Sequence, residues 1–217
     1  MHLLIATSNP HKIDEIMAVV HDAQATLELT SLKEAGIDVP EPVEDQDTFE
    51  GNALLKARYY ATASGKPCMA DDSGLEVDVL GGAPGVISAR YSGTIGGRDI
   101  VDPANNKKLL QELGNTPADQ RTARFVCAVA VAWPNDEQNP IQVRGTFEGR
   151  IITPNQADDP AKTHAGRGAN GFGYDPLFWL EGRNCTSAEL SPQDKNAISH
   201  RGDATRKLLA VLQTHNA

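Results

Sequence analysis

Leu3-Leu4-Ile5-Ala6-Thr7-Ser8-Asn9-Pro10-His11-Lys12-Ile13 decides the fold class, because it passes from buried strand to helix within a few residues. Leu3 to Thr7 reads as a short buried strand. Asn9 then supplies a helix cap, and Pro10 suits the first helical position, where its missing N–H is not needed. Ile13, Ile16, Met17 and Val20 follow at i, i+3, i+4 and i+7, which is one apolar helix face.

The same alternation continues outward. Gly36 to Asp47 is acidic, carries Pro40 and Pro42, and reads as a loop. Thr48 caps a second helix to about Ala63, stopped by Ser64-Gly65-Lys66-Pro67. Ala53, Ala57 and Ala61 give it a close-packing side, while Asn52 and Lys56 lie on another. Cys68 to Ala70 reads as a short strand running into Asp71-Asp72-Ser73-Gly74, with Leu75 to Leu80 and the loop Gly81-Gly82-Ala83-Pro84-Gly85 behind it. Asn105 to Leu113 reads as a short helix. Arg124 to Trp133 and Ile141 to Ile152 read as paired strands joined by the turn-rich Pro134 to Pro140. Ser191-Pro192 opens a helical region that ends in the amphipathic Leu208, Leu209, Val211 and Leu212. No repeat and no linker separates independent domains, so residues 1–217 are expected to form a single mixed α/β domain with a long sheet and a cleft.

Composition narrows the function classes. The 217 residues are 40% hydrophobic and 23% charged, as in ordinary globular chains. Twenty-nine acidic against 20 basic residues leave a formal charge of −9, which repels DNA and RNA. A single nucleotide still binds where a few local cations or a metal ion outweigh that total. Cys68, Cys127 and Cys185 are odd in number and widely spaced, which argues against a disulfide framework and a zinc site. Cys127, in the run Val126 to Ala132, reads as buried filler. The start of the chain lacks a signal-peptide pattern, and no apolar stretch approaches the roughly 18 residues of a membrane span. The expected location is cytoplasmic, with no membrane partner.

Four groups carry candidate chemistry. Adjacent aspartates on extended chain point to opposite sides, so of Asp71 and Asp72 one faces a cleft while the other supports the loop. One or two such carboxylates, with substrate phosphates, satisfy magnesium, and Glu41, Glu44 and Asp45 form a second acidic group. The alternative is a plain turn beside a solvated acidic loop. Thr7 to Lys12 opens a helix whose free N–H groups bind anions, with Lys12 adding a charge; a routinely capped helix is the alternative. It is no Walker motif, and Gly65-Lys66 is followed by Pro67. Gly168-Ala169-Asn170-Gly171-Phe172-Gly173-Tyr174-Asp175-Pro176 lets a planar base stack on Phe172 or Tyr174, or else is a hairpin turn with packed aromatics. Lys195 with Ser199-His200-Arg201-Gly202 offers donors to a purine keto oxygen, or else forms a solvated basic helix face.

Taken together, these segments resemble the purine nucleoside triphosphate pyrophosphatases that act on ITP, dITP and XTP. The match includes Thr48-Phe49-Glu50-Gly51-Asn52-Ala53-Leu54-Leu55-Lys56-Ala57, Ala70-Asp71-Asp72-Ser73-Gly74-Leu75 and Ser88-Ala89-Arg90-Tyr91, in the family's order over nearly the whole chain. The resemblance implies an elongated mixed sheet with flanking helices, two lobes around a central substrate cleft, and a homodimer. It implies that Thr7, Ser8, Asn9, Pro10, His11 and Lys12 wrap the triphosphate and that Lys12 and Lys56 neutralise it. Asp72 becomes the essential acid, as general base and ligand of Mg2+, with Glu41 or Glu44 as a further ligand. Asn52, Ser73, Phe172, Gly173, Tyr174, Asp175, Lys195, His200 and Arg201 hold the nucleotide. Many relatives carry an acid where this chain has Gly51, so the second helix is expected to start later or bend there. A pyrophosphatase for pyrimidine nucleotides and a nucleotide-sensing module without turnover are the competing functions.

Overall fold

A computed structural model describes residues 1–7 and 9–215. Ser8, one of the expected phosphate contacts, lies outside the described residues. The fold is mixed α/β, built on a seven-stranded sheet. Its elements in chain order are β1 (His2–Ile5), α1 (Pro10–Asp22), β2 (Glu28–Ser31), α2 (Phe49–Ser64), β3 (Cys68–Val77), α3 (Arg98–Leu113), β4 (Thr122–Trp133), β5 (Asp136–Ile151), β6 (Phe178–Leu180), β7 (Cys185–Thr186), α4 (Pro192–Ile198) and α5 (His200–His215). The strand order is β2-β1-β3-β4-β5-β6-β7. β1 pairs in parallel with β2 and β3, which needs crossover helices, whereas β6 pairs antiparallel with β5 and β7. Among the described residues no helix is long and apolar enough to cross a membrane.

The chain divides into two compact units. The first comprises residues 1–73, 126–146 and 196–217. Its core joins Leu3 and Ile5 of β1, Ile16 and Val20 of α1, Met69 of β3, Cys127, Val129 and Val131 of β4, and Leu208 and Leu212 of α5. The apolar stripe of α1 is thus buried as its spacing demands, though Met17 is 43% exposed. Asn9 caps α1 by accepting from the His11 N–H at 3.1 Å, with Pro10 opening the helix. Removing a fully buried side chain such as Ile16 would cost about 2–5 kcal/mol as alanine.

Gly51 neither delays nor bends α2. The helix starts at Phe49, and the Gly51 N–H donates to the Thr48 hydroxyl at 3.0 Å. A Cβ at residue 51 would stand 2.8 Å from Cβ of Gln46, so the acidic loop crosses the helix where only glycine leaves room. Asp71-Asp72-Ser73-Gly74 is not a turn but the middle of β3, one strand of ten residues. α3 begins at Arg98 rather than Asn105, with Pro103 inside it. Pro103 lies past the first turn, so the helix gives up the bond that an N–H there would make to the Asp99 carbonyl.

The second unit comprises residues 74–125 and 147–195. Phe178 of β6 packs at a tilt against Phe125 at 4.5 Å and Phe147 at 5.3 Å between ring centres. Asn105 of α3 holds the turn before it, donating to the Ser88 and Ala89 carbonyls and accepting from the Ser92 N–H at 2.7 Å. Arg121, 2% exposed, donates to the carbonyls of Gly114, Thr116 and Ile152, so its buried charge meets three backbone acceptors.

Candidate active site

Because residues along a strand alternate sides, Asp71 and Asp72 of β3 reach different partners. Asp71, 2% exposed, takes Lys12 at 2.9 Å and has Arg201 at 3.6 Å. Asp72 accepts from the Asn52 amide at 3.1 Å and has the Lys56 ammonium at 3.7 Å. Lys56 also donates to Glu44 at 2.8 Å. All of these groups belong to the first unit. Two carboxylates, Glu44 and Asp72, therefore share one ammonium, while a third, Asp71, is neutralised by two cations.

Electrostatics separates the neighbouring aspartates. Burial works against the Asp71 charge, but Lys12, Arg201 and Lys56 outweigh it and hold the carboxyl below the usual carboxylate range. For Asp72, burial is the larger effect; Lys56 opposes it, Glu44 adds to it, and the carboxyl ends above the ordinary value. The ammonium of Lys56 is penalised by burial, yet Asp72, Asp71 and Glu44 raise its pKa, so it stays charged at neutral pH. A fixed anion beside a carboxylate of raised pKa, flanked by two lysines, suits proton abstraction from water next to phosphates.

Several of the expected ligand-binding residues also bond within the protein. Asn52 is wholly buried, with its amide nitrogen on Asp72 and its oxygen accepting from the Gln46 N–H at 3.1 Å, so it fixes the orientation of Asp72. Arg201, 1% exposed, donates to Glu15 and to the Ser73 hydroxyl at 2.9 Å and faces Asp71. Its guanidinium thus already meets three protein acceptors, Glu15, Ser73 and Asp71. Ser73 in turn is tied to Arg201. His200 is buried at the start of α5. At the head of α1, the Thr7 hydroxyl accepts from the Asn9 N–H at 3.2 Å, while Pro10 and His11 are exposed. Of the two loop acids expected to hold the metal, Glu44 reaches Lys56, while Glu41 is exposed. Glu15 was not singled out in the sequence, and only its distance of 186 positions from Arg201 explains why.

In the second unit, Asp175 is a fixed acceptor. It is 2% exposed and takes the Phe172 N–H at 2.8 Å, the Ser187 hydroxyl at 2.7 Å and the Lys195 ammonium at 2.6 Å. Lys195 is thus paired and also lies 5.3 Å from the Phe172 ring centre. Tyr174 is 5% exposed, with its hydroxyl on the Ser88 carbonyl at 2.8 Å, which leaves Phe172, only half-buried, as the ring available for stacking. The segment is an irregular turn and not a hairpin. Gly171 at φ 78° has no room for a side chain, since a Cβ would lie 2.1 Å from Asp175 Oδ2. Gly173, at φ 63°, faces open space.

Among the described residues no three His, Cys, Asp or Glu side chains cluster as a metal cage. The donor set does fit magnesium, which takes one or two carboxylates and draws its remaining oxygens from phosphates and water. Asp72 and Glu44 supply such a pair, and the rise in the Asp72 pKa caused partly by Glu44 is a repulsion that a divalent cation relieves.

Two lysines set among buried carboxylates on a mixed α/β sheet are the groups that a phosphate-handling hydrolase requires. A sequence model of the Ham1 family matches residues 3–211, and the chain belongs to that family. It is 44% identical over 218 residues to a dITP/XTP pyrophosphatase of Exiguobacterium sibiricum, covering 99% of this chain and 98% of the relative. A dITP/XTP pyrophosphatase of Pseudomonas syringae pv. tomato is 45% identical over 202 residues, covering 93% and 92%. Among solved structures, a HAM1 protein from Coxiella burnetii matches with a TM-score of 0.81 at 36% identity over 99% of both chains. The Ham1 protein of Staphylococcus aureus matches with a TM-score of 0.78 at 37% identity, over 99% of this chain and all of that one.

Proposed function

We propose that this chain hydrolyses ITP, dITP and XTP to the monophosphate and pyrophosphate, removing non-standard purine nucleotides from the pool before DNA or RNA incorporates them. The observation that carries the reading is Asp72, a nearly buried carboxylate of raised pKa between Lys56, Glu44 and Asn52, in a chain whose relatives are named dITP/XTP pyrophosphatases.

Phosphoryl chemistry needs positioning and charge neutralisation more than covalent help. Lys12 and Lys56 each have three donors and use only some of them on carboxylates, so each still donates to phosphate oxygens. Asp72 accepts a proton from the attacking water, a role worth about 10²–10⁴-fold. The new P–O bond forms as the bond to the pyrophosphate oxygen breaks, and the lysines offset the charge on the leaving group. Asp72 and Glu44 would hold Mg2+, which supplies Lewis-acid neutralisation of the phosphates when bound. Asn52 and Arg201 act through others, the first by fixing Asp72 and the second by fixing Asp71 and Ser73. Phe172 stacks the purine, and Lys195, held by Asp175, donates to a 6-keto oxygen. An amino group at that position would leave a buried donor unpaired, which rejects adenine. The protein works as a cytoplasmic homodimer without nucleic acid or membrane partners.

Pyrophosphate release is measured with ITP, XTP, dITP, GTP, ATP and dTTP, with and without chelator, for the wild type and Asp72→Asn. The 6-oxopurines ITP, XTP and dITP are expected to lead, chelation to stop turnover, and Asp72→Asn to bind ITP while losing about 10²-fold or more in kcat. Unchanged turnover in Asp72→Asn would remove Asp72 from the mechanism.

A further inference from the structure

One face of α3 meets the Phe172 ring and both backbone groups of Gly173. Arg98, Asp102 and Asn106 are spaced four apart and so lie in one row along the helix. Arg98 places its guanidinium 4.7 Å from the centre of the Phe172 ring. Asp102 accepts the Gly173 N–H at 2.9 Å, and Asn106 donates to the Gly173 carbonyl at 3.2 Å. Asp102 also lies 3.7 Å from Arg98, so the same carboxylate that holds the peptide aims the cation at the ring. All six groups belong to the second unit.

This arrangement does more than close a loop. Gly173 has a positive φ and open space where a side chain would be, so it adds no packing of its own beside Phe172, whose N–H is held by Asp175 and whose ring also has Lys195 at 5.3 Å. Water would satisfy both backbone groups of an ordinary surface turn, yet here one helix satisfies both. Arg98 is half exposed and free to point into solvent, but it lies over an aromatic face.

We propose that the Arg98–Asp102–Asn106 row positions the base-recognition loop, with Asp102 as its central positioning residue, and so sets the affinity for the purine. The proposal rests on the reading that Phe172 stacks the base. Asp102 touches no substrate; it acts by fixing the Gly173 peptide and by orienting Arg98.

The test combines steady-state kinetics with ITP, amide hydrogen exchange at Gly173, and the variants Asp102→Ala, Asp102→Asn, Arg98→Ala and Phe172→Ala. Asp102→Ala is expected to raise KM for ITP about tenfold with kcat within about twofold, and to speed Gly173 exchange about tenfold, as loss of a charge-assisted hydrogen bond would. Asp102→Asn keeps an accepting oxygen and is expected to restore most of both. Arg98→Ala, at an exposed position that tolerates truncation, is expected to raise KM about two- to fivefold. A purely structural role would move stability without this split between KM and kcat. If Phe172→Ala raises KM while Asp102→Ala and Arg98→Ala leave it unchanged, the row has no part in recognition and the proposal alone falls. If Phe172→Ala also leaves KM unchanged, the base-stacking reading falls and takes the proposal with it. Should Asp102→Ala fail to fold, Arg98→Ala and Asp102→Asn decide: a wild-type KM in Arg98→Ala overturns the proposal.

Discussion

Replacing Asp71 by Asn isolates the charge arrangement beneath the proposed centre. The two side chains have nearly the same volume, so no cavity opens and the change is one of charge. Asp71 is 2% exposed and neutralises Lys12 at 2.9 Å and Arg201 at 3.6 Å. Breaking a buried ion pair by removing one partner costs about 3–5 kcal/mol. Arg201 keeps Glu15 as a second counter-ion, which places the expected loss at the lower end, about 3 kcal/mol. The pH dependence carries a further signature. Burial disfavours the Asp71 charge, but Lys12, Arg201 and Lys56 prevail, so the folded carboxyl titrates below its unfolded value of about 4. A depressed folded pKa stabilises fully above the unfolded value, and the contribution fades as pH falls from about 4 toward the folded value, because the unfolded chain takes up the proton first. Urea unfolding of wild type and Asp71→Asn, followed by circular dichroism between pH 7 and pH 3.5, measures both effects. The wild type is expected to be more stable by about 3 kcal/mol at pH 7, with the difference shrinking below about pH 4. A difference under about 1 kcal/mol at pH 7, the size of a surface pair, or one that grows on acidification would refute the reasoning.

Two further outcomes follow from the same geometry. Gly171→Ala would drive a Cβ into the Asp175 carboxylate that holds Lys195, so KM for ITP is expected to rise about tenfold or more, and a wild-type KM would show that this acceptor has no part in binding. Asp72 must be ionised to take a proton, and its pKa lies above the ordinary carboxylate value, so kcat/KM is expected to rise with pH through an acid limb above about 4. A pH–rate profile that stays flat down to pH 4 would exclude Asp72 as the titrating base.

Much of the fold was legible locally. The Asn9 cap with Pro10, the Thr48 cap and the Gly65 stop all stand where the residues place them, because caps and turns are decided within a few positions. β2 escaped notice, since Glu28-Leu29-Thr30-Ser31 has no clear alternation and becomes a strand by pairing with β1. Asp71 to Gly74 looks like a turn in isolation and is strand because β3 lies between β1 and β4 in the sheet, where Lys12, Arg201, Asn52 and Lys56 compensate its buried carboxylates. Pro103 hid the first turns of α3, and with them the row facing Phe172.

By itself the sequence determined the alternation of strands and helices, the acidic loop, the two lysines, the aspartate pair and the glycine–aromatic turn. Those features rest on spacing and on the preferences of single residues. Tertiary structure alone decided that Glu44 and not Glu41 meets Lys56, that Asp71 and Asp72 differ in charge environment, and that Arg201 and Asn52 act on protein groups. The physical reason is that such pairings depend on burial and on the packing of elements whose residues lie up to 186 positions apart, which local periodicity does not encode.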